Sequence, residues 1–311
     1  MTSLLTNTAA MVALRTLSDI NRGLNETNNR VSTGLRIAQA SDSAAYWAIA
    51  ATTSSDNGAL STVRDALALG KSTMDVVYNG LDSTRESLQQ MKELLVAARQ
   101  PGVDRANIQT QITGLITDMQ NKASASVINE QNFLSVDSAA AGYNADKQIV
   151  ASFERSSAGI AVSTITLDID TIKLIDPAGG TPAGILDIDR TGTNATTESI
   201  TGLNGTAISS LTDSAADLQT LDDYIEIVDA ALVDVISASN SVGVILARVE
   251  SQESFISALI DANDRAVGAL IDANMEEEST RLRALQTQQQ LSVESLSIAN
   301  ASAQNVLALF R

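Results

Sequence analysis

Apolar residues recur at alternating steps of three and four along most of the chain. That spacing lines one face of a helix and, when sustained, makes a coiled-coil seam. The first run takes Ala10, Leu14, Leu17, Leu24, Val31 and Leu35, with Asn7, Asn21 and Asn28 in the heptad position of Leu14 and Leu35. A polar Asn on a seam fixes register and partner number at some cost in stability. These three are therefore read as register markers, the alternative being that they simply face water. The stretch "STGLRIAQASDSAAYWAIA" interrupts the seam, and Gly34 with Ser41, Asp42 and Ser43 predicts a helix break and restart. The cleanest run follows: Leu60, Val63, Leu67, Gly70, Met74, Val77, Leu81, Thr84, Leu88, Met91 and Leu95. "RQPGVD" at 99–104 ends it, since Pro and Gly together stop a helix. A shorter helix carries Ile108, Ile112, Leu115 and Met119 on one face.

From about residue 130 the period changes. "KQIVASF", "GIAVSTITLDIDTIKLI" and "GILDID" are β-branched and partly alternating, and predict strands. "DPAGGTPAG" (176–184) predicts a turn between strands, and residues 190–210 predict a surface loop. Helical spacing returns near Leu211 and continues through Leu218, Leu221, Val228, Val235, Val242, Val249 and Ile256. Val267, Ile271 and Met275 then stand four apart, a step that predicts local unwinding of a supercoil. A last run carries Leu282, Leu285, Leu296, Ala299, Ala303, Val306 and Phe310.

The fold class that follows is mainly α. The expected form is an elongated helical coiled-coil rod, with paired N- and C-terminal helices and a small β-rich outer part. The segments are 1–41 and 269–311 as the two halves of the terminal pair, and 42–175 and 211–268 as the outgoing and returning parts of the rod. Residues 176–210 form a short outer loop region. Two helices cannot cover all of Leu282, Leu285, Leu291, Leu296, Ile298, Leu307 and Leu309, so that surface calls for other copies.

Composition changes the picture chiefly by exclusion. There is no Cys and no His, which removes disulfides, thiolate metal sites, His-based triads and the H-E-x-x-H zinc motif. Net charge of −17 argues against a nucleic-acid partner. The sequence is expected to hold no membrane span, since none of its stretches reads as the roughly 20 apolar residues required. "MTSLLTNTAAMVALR" lacks the basic start and apolar run of a secretory signal, so a cytoplasmic protein and one exported without a cleaved signal look alike. Residues 1–40 carry +2 and residues 271–311 carry −2, leaving the whole −17 in between. Weakly opposite ends suit mutual pairing, and an acidic middle suits a solvated surface.

Little candidate chemistry remains, and no cofactor is expected. "DIDRTGTNATTE" (187–198) has calcium-loop spacing, with Asp187, Asp189 and Thr191 at alternate positions, Gly192 at the turn and Glu198 twelfth. Asn194 takes the place of the usual aliphatic residue and neither flank reads as helix, which favours an acidic surface loop over a metal site. Glu276, Glu277 and Glu278 lie beside Arg281 and Arg283 and read as a solvated run pairing at i,i+4 rather than as acid–base catalysts.

Several motifs carry a resemblance. "RVSTGLRIAQASDSAAYWAIA" (30–50) resembles the N-terminal signature of bacterial flagellin, a Leu-Ser-Ser-Gly-Leu-Arg-Ile stretch followed by Asp-Asp-Ala-Ala. "QQMKELLVAA" (89–98) fits as well, and "ALIDANMEEESTRLRALQTQQQLSVESLSIANASAQNVLALFR" is similar to the flagellin C-terminus. The resemblance covers roughly 1–135 and 211–311 and is nearest to the rhizobial type, with the outer domain reduced to about 175–210. Ser43 stands where a second Asp is usual, and Tyr46-Trp47 replace a Gly-Leu-like pair.

The resemblance implies a structural subunit, not an enzyme, that polymerises into the extracellular flagellar filament for swimming. It implies export unfolded through the flagellar type III apparatus, and terminal helices that order only on assembly. Implied partners are further copies, paralogous flagellins, an export chaperone, and hook-associated and cap proteins. A flagellin-like hook–filament junction protein is the alternative. The expected subunit interface is Leu14, Leu17, Leu24, Val31, Leu35, Leu282, Leu285, Leu296, Val306 and Phe310. The family also implies a site for an animal Toll-like receptor. There Gln90 and Gln111 stand for the usual Arg and Glu while Leu94 is retained, so weak recognition is expected.

Overall fold

A computed structural model describes residues 7–156, 159–178, 183–205 and 208–308, with backbone only from 303 onward. The fold is mainly α. Its helices are α1 (Thr8–Thr33), α2 (Ala44–Ala98), α3 (Arg105–Ala125), α4 (Ala215–Ile271) and α5 (Met275–Ala308). Among the described residues, three antiparallel strand pairs join Val127–Ile128 (β1) to Gln131–Asn132 (β2), Asp146–Ser156 (β3) to Gly159–Asp168 (β4), and Arg190–Thr191 (β5) to Thr197–Glu198 (β6). Two compact units divide the chain: residues 1–58 with 259–311 (unit 1), and residues 59–258 (unit 2).

The helix ends follow local chemistry. Asn7 caps α1, its side chain accepting from the Ala10 N–H at 3.0 Å. Gly34 ends α1 at φ 74, and its N–H donates back to the Arg30 carbonyl. Asp104 caps α3 by accepting from the Ala106 and Asn107 N–H groups.

In unit 2 the predicted seam of α2 is the observed core. Leu67, Leu81, Leu88, Met91 and Leu95 are fully buried, and Thr84 is buried with its hydroxyl donated to the Gly80 carbonyl. From α4 come Leu221, Val228, Ala231, Val235, Val242 and Val249. Lys71 pairs with Glu250, Lys92 with Asp229 and Arg99 with Asp222, so α2 and α4 run antiparallel in one constant register. One 18-residue window in α4 has mean hydropathy 1.7, long and apolar enough by composition for a membrane span, contrary to the sequence reading. Only 28% of that window is buried: Val228, Leu232, Val235 and Val242 of α4 are turned into the core of unit 2, while Val233, Ile236 and Val244 of the same helix are exposed.

The β3–β4 hairpin packs where α2 has no side chain: a Cβ at Gly70 would lie 2.6 Å from Ile149 Cγ2. Other sequence expectations fail for identifiable reasons. "GILDID" is a turn, not a strand, because the Asp187 and Ile188 N–H groups both return to the Gly184 carbonyl. The turn expected over 176–184 lies partly outside the described residues; on its far side Ile185 and Leu186 donate to the Lys173 and Leu174 carbonyls without forming strands. Residues 190–210 are more than surface loop, since Ile200, Leu203 and Ile208 are fully buried. The step near 271 is a helix break, with the Asn274 side chain accepting from the Glu276 N–H at the start of α5.

Candidate functional site

Unit 1 is built on the antiparallel pairing of α1 with α5. The buried line of α1 is Ala10, Ala13, Leu24 and Thr27, with Leu17, Ile20 and Val31 half-buried on the same stripe. The sequence register was therefore half right. Ala13, Ile20 and Thr27 take the alternate seam positions expected for Leu14, Asn21 and Asn28; Leu14 and Asn28 face outward, and Asn21, exposed at the edge of the pair, still reaches α5. Leu14 is 56% exposed. On α5 the stripe is Glu278, Leu282, Leu285, Gln289, Ser292, Leu296 and Ala299, steps of four and three throughout.

Small residues let the two backbones approach and polar ones tie them. Gly23 faces Leu285, a Cβ there meeting its methyls at 3.6 Å. Asn7 Nδ2 donates to the Ala299 carbonyl at 3.0 Å, and Gln289 Nε2 to Asn21 Oδ1 at 2.7 Å. Arg30 bridges Glu26 of its own helix and Glu278 of α5. Glu278 is thus a cross-helix partner, not a member of a solvated run, and its Oε2 is buried without a partner.

The pair leaves much apolar surface uncovered: Met11, Val12 and Leu14 on α1, and Leu291, Val293 and Ile298 on α5, are each at least half exposed. Of the expected interface, Leu24 is buried, and Leu17, Val31, Leu282, Leu285 and Leu296 are half-buried. Leu35 is half-buried and bridges to Asp272 beyond the end of α1. The Val306 side chain and Phe310 lie outside the described residues. In unit 2, Gln90 and Gln111 are exposed and Leu94 half-buried, on α2 and α3.

The possible calcium residues are not gathered. Asp187 Oδ2 accepts the Asp176 N–H at 2.7 Å, Asp189 is exposed, and Glu198 stands opposite Arg190 in the β5–β6 pair. Among the described residues no group of three carboxylates is placed to hold a metal. Burial pushes the Asp187 carboxyl up, helped by the nearby Asp176.

Sequence reasoning missed the polar hubs of unit 2. Lys173 is fully buried, with Nζ 3.1 Å from both Asp170 and Asp176 and 5.7 Å from the centre of the Tyr143 ring. Burial alone would raise Asp176, but hydrogen bonds from Ser138 and Lys173 outweigh it and hold the carboxyl at about 2. Asp223 is also fully buried and accepts from the Asn194 and Thr196 N–H groups, fixing the β5–β6 turn to α4. Arg105 ties the Ala98 and Leu211 carbonyls to Asp213. A Lys inside the apolar run "TIKLI" was a usable signal of a buried ion pair. For Arg105 the sequence held none.

Capped helices, small-residue seams and an apolar helix pair left partly exposed have the form of a helical structural protein. The comparisons with known proteins agree. The models of the bacterial flagellin N-terminal and C-terminal helical regions match residues 4–138 and 225–310. Flagellin C of Rhizobium meliloti (strain 1021) is 42% identical over 326 aligned positions, and a flagellin of Brucella melitensis biotype 1 is 36% identical over 312, each covering the whole of both chains. The chain belongs to the bacterial flagellin family, as a structural subunit of the flagellar filament and not an enzyme. Alignment with Flagellin A of Rhizobium meliloti (strain 1021), 36% identical, runs over 399 positions, so at least 88 of them stand opposite gaps in these 311 residues. A structure of a putative flagellar hook-associated protein from Vibrio parahaemolyticus matches with TM-score 0.53 at 15% identity, over 74% of this chain and all of that one. That likeness concerns the fold alone.

Proposed function

We propose that the chain polymerises through unit 1, the α1/α5 pair of one copy being covered by those of its neighbours in an extracellular filament. The observation that carries this is the ring of exposed apolar residues on that pair, Met11, Val12, Leu14, Leu291, Val293 and Ile298. Leaving such side chains wet forfeits roughly 1.5–3 kcal/mol each, a sum the few small buried residues between α1 and α5 do not offset. The pair thus gains most of its stability on assembly, consistent with export of an unfolded chain. An export chaperone shielding the same face, and hook-associated and cap proteins at the filament ends, complete this reading. Purified chain seeded with filament fragments should extend them in electron micrographs. A junction protein present in few copies would leave the seeds unextended, and that result overturns the proposal.

The second part of the proposal is weak recognition by an animal Toll-like receptor. Gln90 and Gln111 are exposed neutral amides where a charged pair is the family pattern, and each charge-assisted bond lost costs roughly 1.5–3 kcal/mol. A receptor-reporter assay on monomer should respond weakly, and Gln90→Arg with Gln111→Glu should restore part of the signal. A strong wild-type response contradicts it.

A further inference from the structure

The chain holds one Asp–Pro bond, Asp176–Pro177, and it leaves the end of a wholly buried ion pair in unit 2. The Lys173 and Asp176 side chains are both out of water, with Nζ 3.1 Å from Oδ2. Oδ2 also accepts the Ser138 hydroxyl at 2.5 Å, while Oδ1 takes the longer bond, 3.3 Å from the Ser138 N–H. The Asp176 N–H is pinned to Asp187 Oδ2 at 2.7 Å. Asp170, which accepts the Tyr143 hydroxyl, lies 3.1 Å from Nζ. Pro177 and Ala178 stand exposed. The chain therefore passes from a dry cluster into solvent across this single peptide bond.

We propose that Asp176–Pro177 is a self-cleavage site, at which Lys173 captures the new acyl group as a side-chain amide. An Asp carboxylate reaches its own backbone carbonyl carbon by closing a five-membered ring, so nucleophile and target are held together by one residue. The carboxyl must be ionised; burial opposes this, and the hydrogen bonds from Ser138 and Lys173 overcome it. Oδ1, the less tightly held oxygen, attacks the Asp176 carbonyl carbon. The C–N bond to Pro177 breaks, and the prolyl nitrogen, which carries no hydrogen of its own, takes a proton from the Lys173 ammonium. A cyclic anhydride and a neutral Lys173 amine result. Oδ2 is now an acyl oxygen still facing the Ser138 hydroxyl, which polarises Cγ. Nζ attacks Cγ, the ring opens to leave the Asp176 backbone as a carboxylate, and the spent amine proton passes to the prolyl nitrogen. Atoms and charge balance without a co-reactant, one peptide bond being exchanged for one side-chain amide. Burial of Nζ and Cγ keeps water from competing, while the exposed Pro177 departs into solvent. The event happens once per chain, and the α2/α4 core, with its Lys71–Glu250 and Lys92–Asp229 pairs, still holds the two pieces together.

The cut is therefore sought under denaturing conditions. Wild-type chain is kept folded at about pH 5, above the range in which the cluster loosens, then denatured and weighed by mass spectrometry. Two pieces should appear: residues 177–311, and residues 1–176 lighter by one water than the sequence requires. Fragmentation should place the missing water between Lys173 and Asp176. Cleavage should run about a hundredfold faster than in the same chain held unfolded in guanidinium at that pH, the lower end of what a placed proton donor contributes. Pro177→Ala alters an exposed residue, so circular dichroism should be unchanged and cleavage lost. A first piece of full mass overturns capture by Lys173. Cleavage no faster than in guanidinium overturns the part played by the fold. An intact wild-type chain, or Pro177→Ala cut at the wild-type rate, overturns the proposal outright and leaves the filament reading standing.

Discussion

Unit 1 and unit 2 use the same three–four spacing to opposite ends. In unit 2 the seam is filled with Leu, Met, Val and Ile, and Leu67, Leu81, Leu88 and Leu95 are wholly out of water. In unit 1 the buried apolar residues among those described are Ala10, Ala13, Leu24, Ile37 and Ala50, none below 5% exposure. Met11, Val12, Leu14, Leu291, Val293 and Ile298 of unit 1 point outward instead. A region that folds alone turns its Leu into its own core; on the proposed filament reading, unit 1 finishes folding against neighbours and keeps several large apolar residues outside. Net charge follows the same division, −14 against −3.

The sharpest way to break this comparison is truncation. Deleting residues 305–311, "NVLALFR", removes Val306 and Phe310 from the seam read in the sequence, and Leu307 and Leu309 from the surface that calls for other copies. Polymerisation should be abolished, with the cooperative melting of unit 2 unchanged by circular dichroism. Normal filaments from the shortened chain would show that unit 1 does not depend on its neighbours as argued.

Next in size is a matched pair of cavities. Leu88 is fully buried in unit 2 and Leu24 is 9% exposed in unit 1. Leu88→Ala should lower the unfolding free energy of the monomer by about 2–5 kcal/mol in denaturant titration. Leu24→Ala should leave that transition within about 0.5 kcal/mol, yet reduce hydrogen-exchange protection of α1 in the filament. Equal effects on the monomer would mean that the two units share one core.

What could be read in advance follows the same division. The α2 seam was legible residue by residue because a deep core takes every large apolar residue on its face. The α1 seam was legible only at Ala10, Leu17, Leu24 and Val31. At the alternate positions Ala13 was taken inside and its neighbour Leu14 left out, the reverse of what hydrophobicity alone predicts. Close approach of two backbones rewards the smaller side chain, as Gly23 against Leu285 also does. The "GILDID" error has another cause. Gly184 sits so tightly that a Cβ would lie 2.4 Å from the Leu174 carbonyl, a tertiary constraint with no trace in β-propensity. Of the polar hubs, Lys173 left a signal in its apolar setting, while Asp223 and Arg105 draw their partners from 27 and 108 residues away.

Acid separates the units more gently. The folded pKa of Asp176, about 2, lies below the ordinary carboxylate value near 4. Asp223 is also lowered, its hydrogen bonds from Asn194 and Thr196 outweighing burial. A carboxyl lowered on folding stabilises the folded chain above its unfolded pKa, and that contribution is lost as the pH falls toward the folded value. Unit 2 should therefore loosen around residues 133–145, 169–178 and 190–198 between about pH 4 and pH 2. Asp176→Asn should flatten that dependence in peptic digestion or hydrogen exchange. A wild-type chain whose protection there is constant over this range would contradict the assignment.

The smallest effect tests the closeness of the α1/α5 pair. Gly114 is exposed on α3 of unit 2 with open space where a Cβ would stand, and Gly23 lies on α1 with Leu285 methyls at 3.6 Å, ordinary van der Waals contact. Replacing either by Ala removes the helical penalty of Gly, roughly 0.5–1 kcal/mol. For Gly114→Ala that gain should appear directly in the monomer's denaturation midpoint. For Gly23→Ala the same gain falls on a helix that the monomer holds weakly, so it should appear as higher helicity at low temperature and a lower critical concentration for polymerisation, with the main melting transition unmoved. If Gly23→Ala instead slows polymerisation, the added methyl is pushing α1 and α5 apart. The spacing of the pair would then matter more to assembly than the helix propensity of either member.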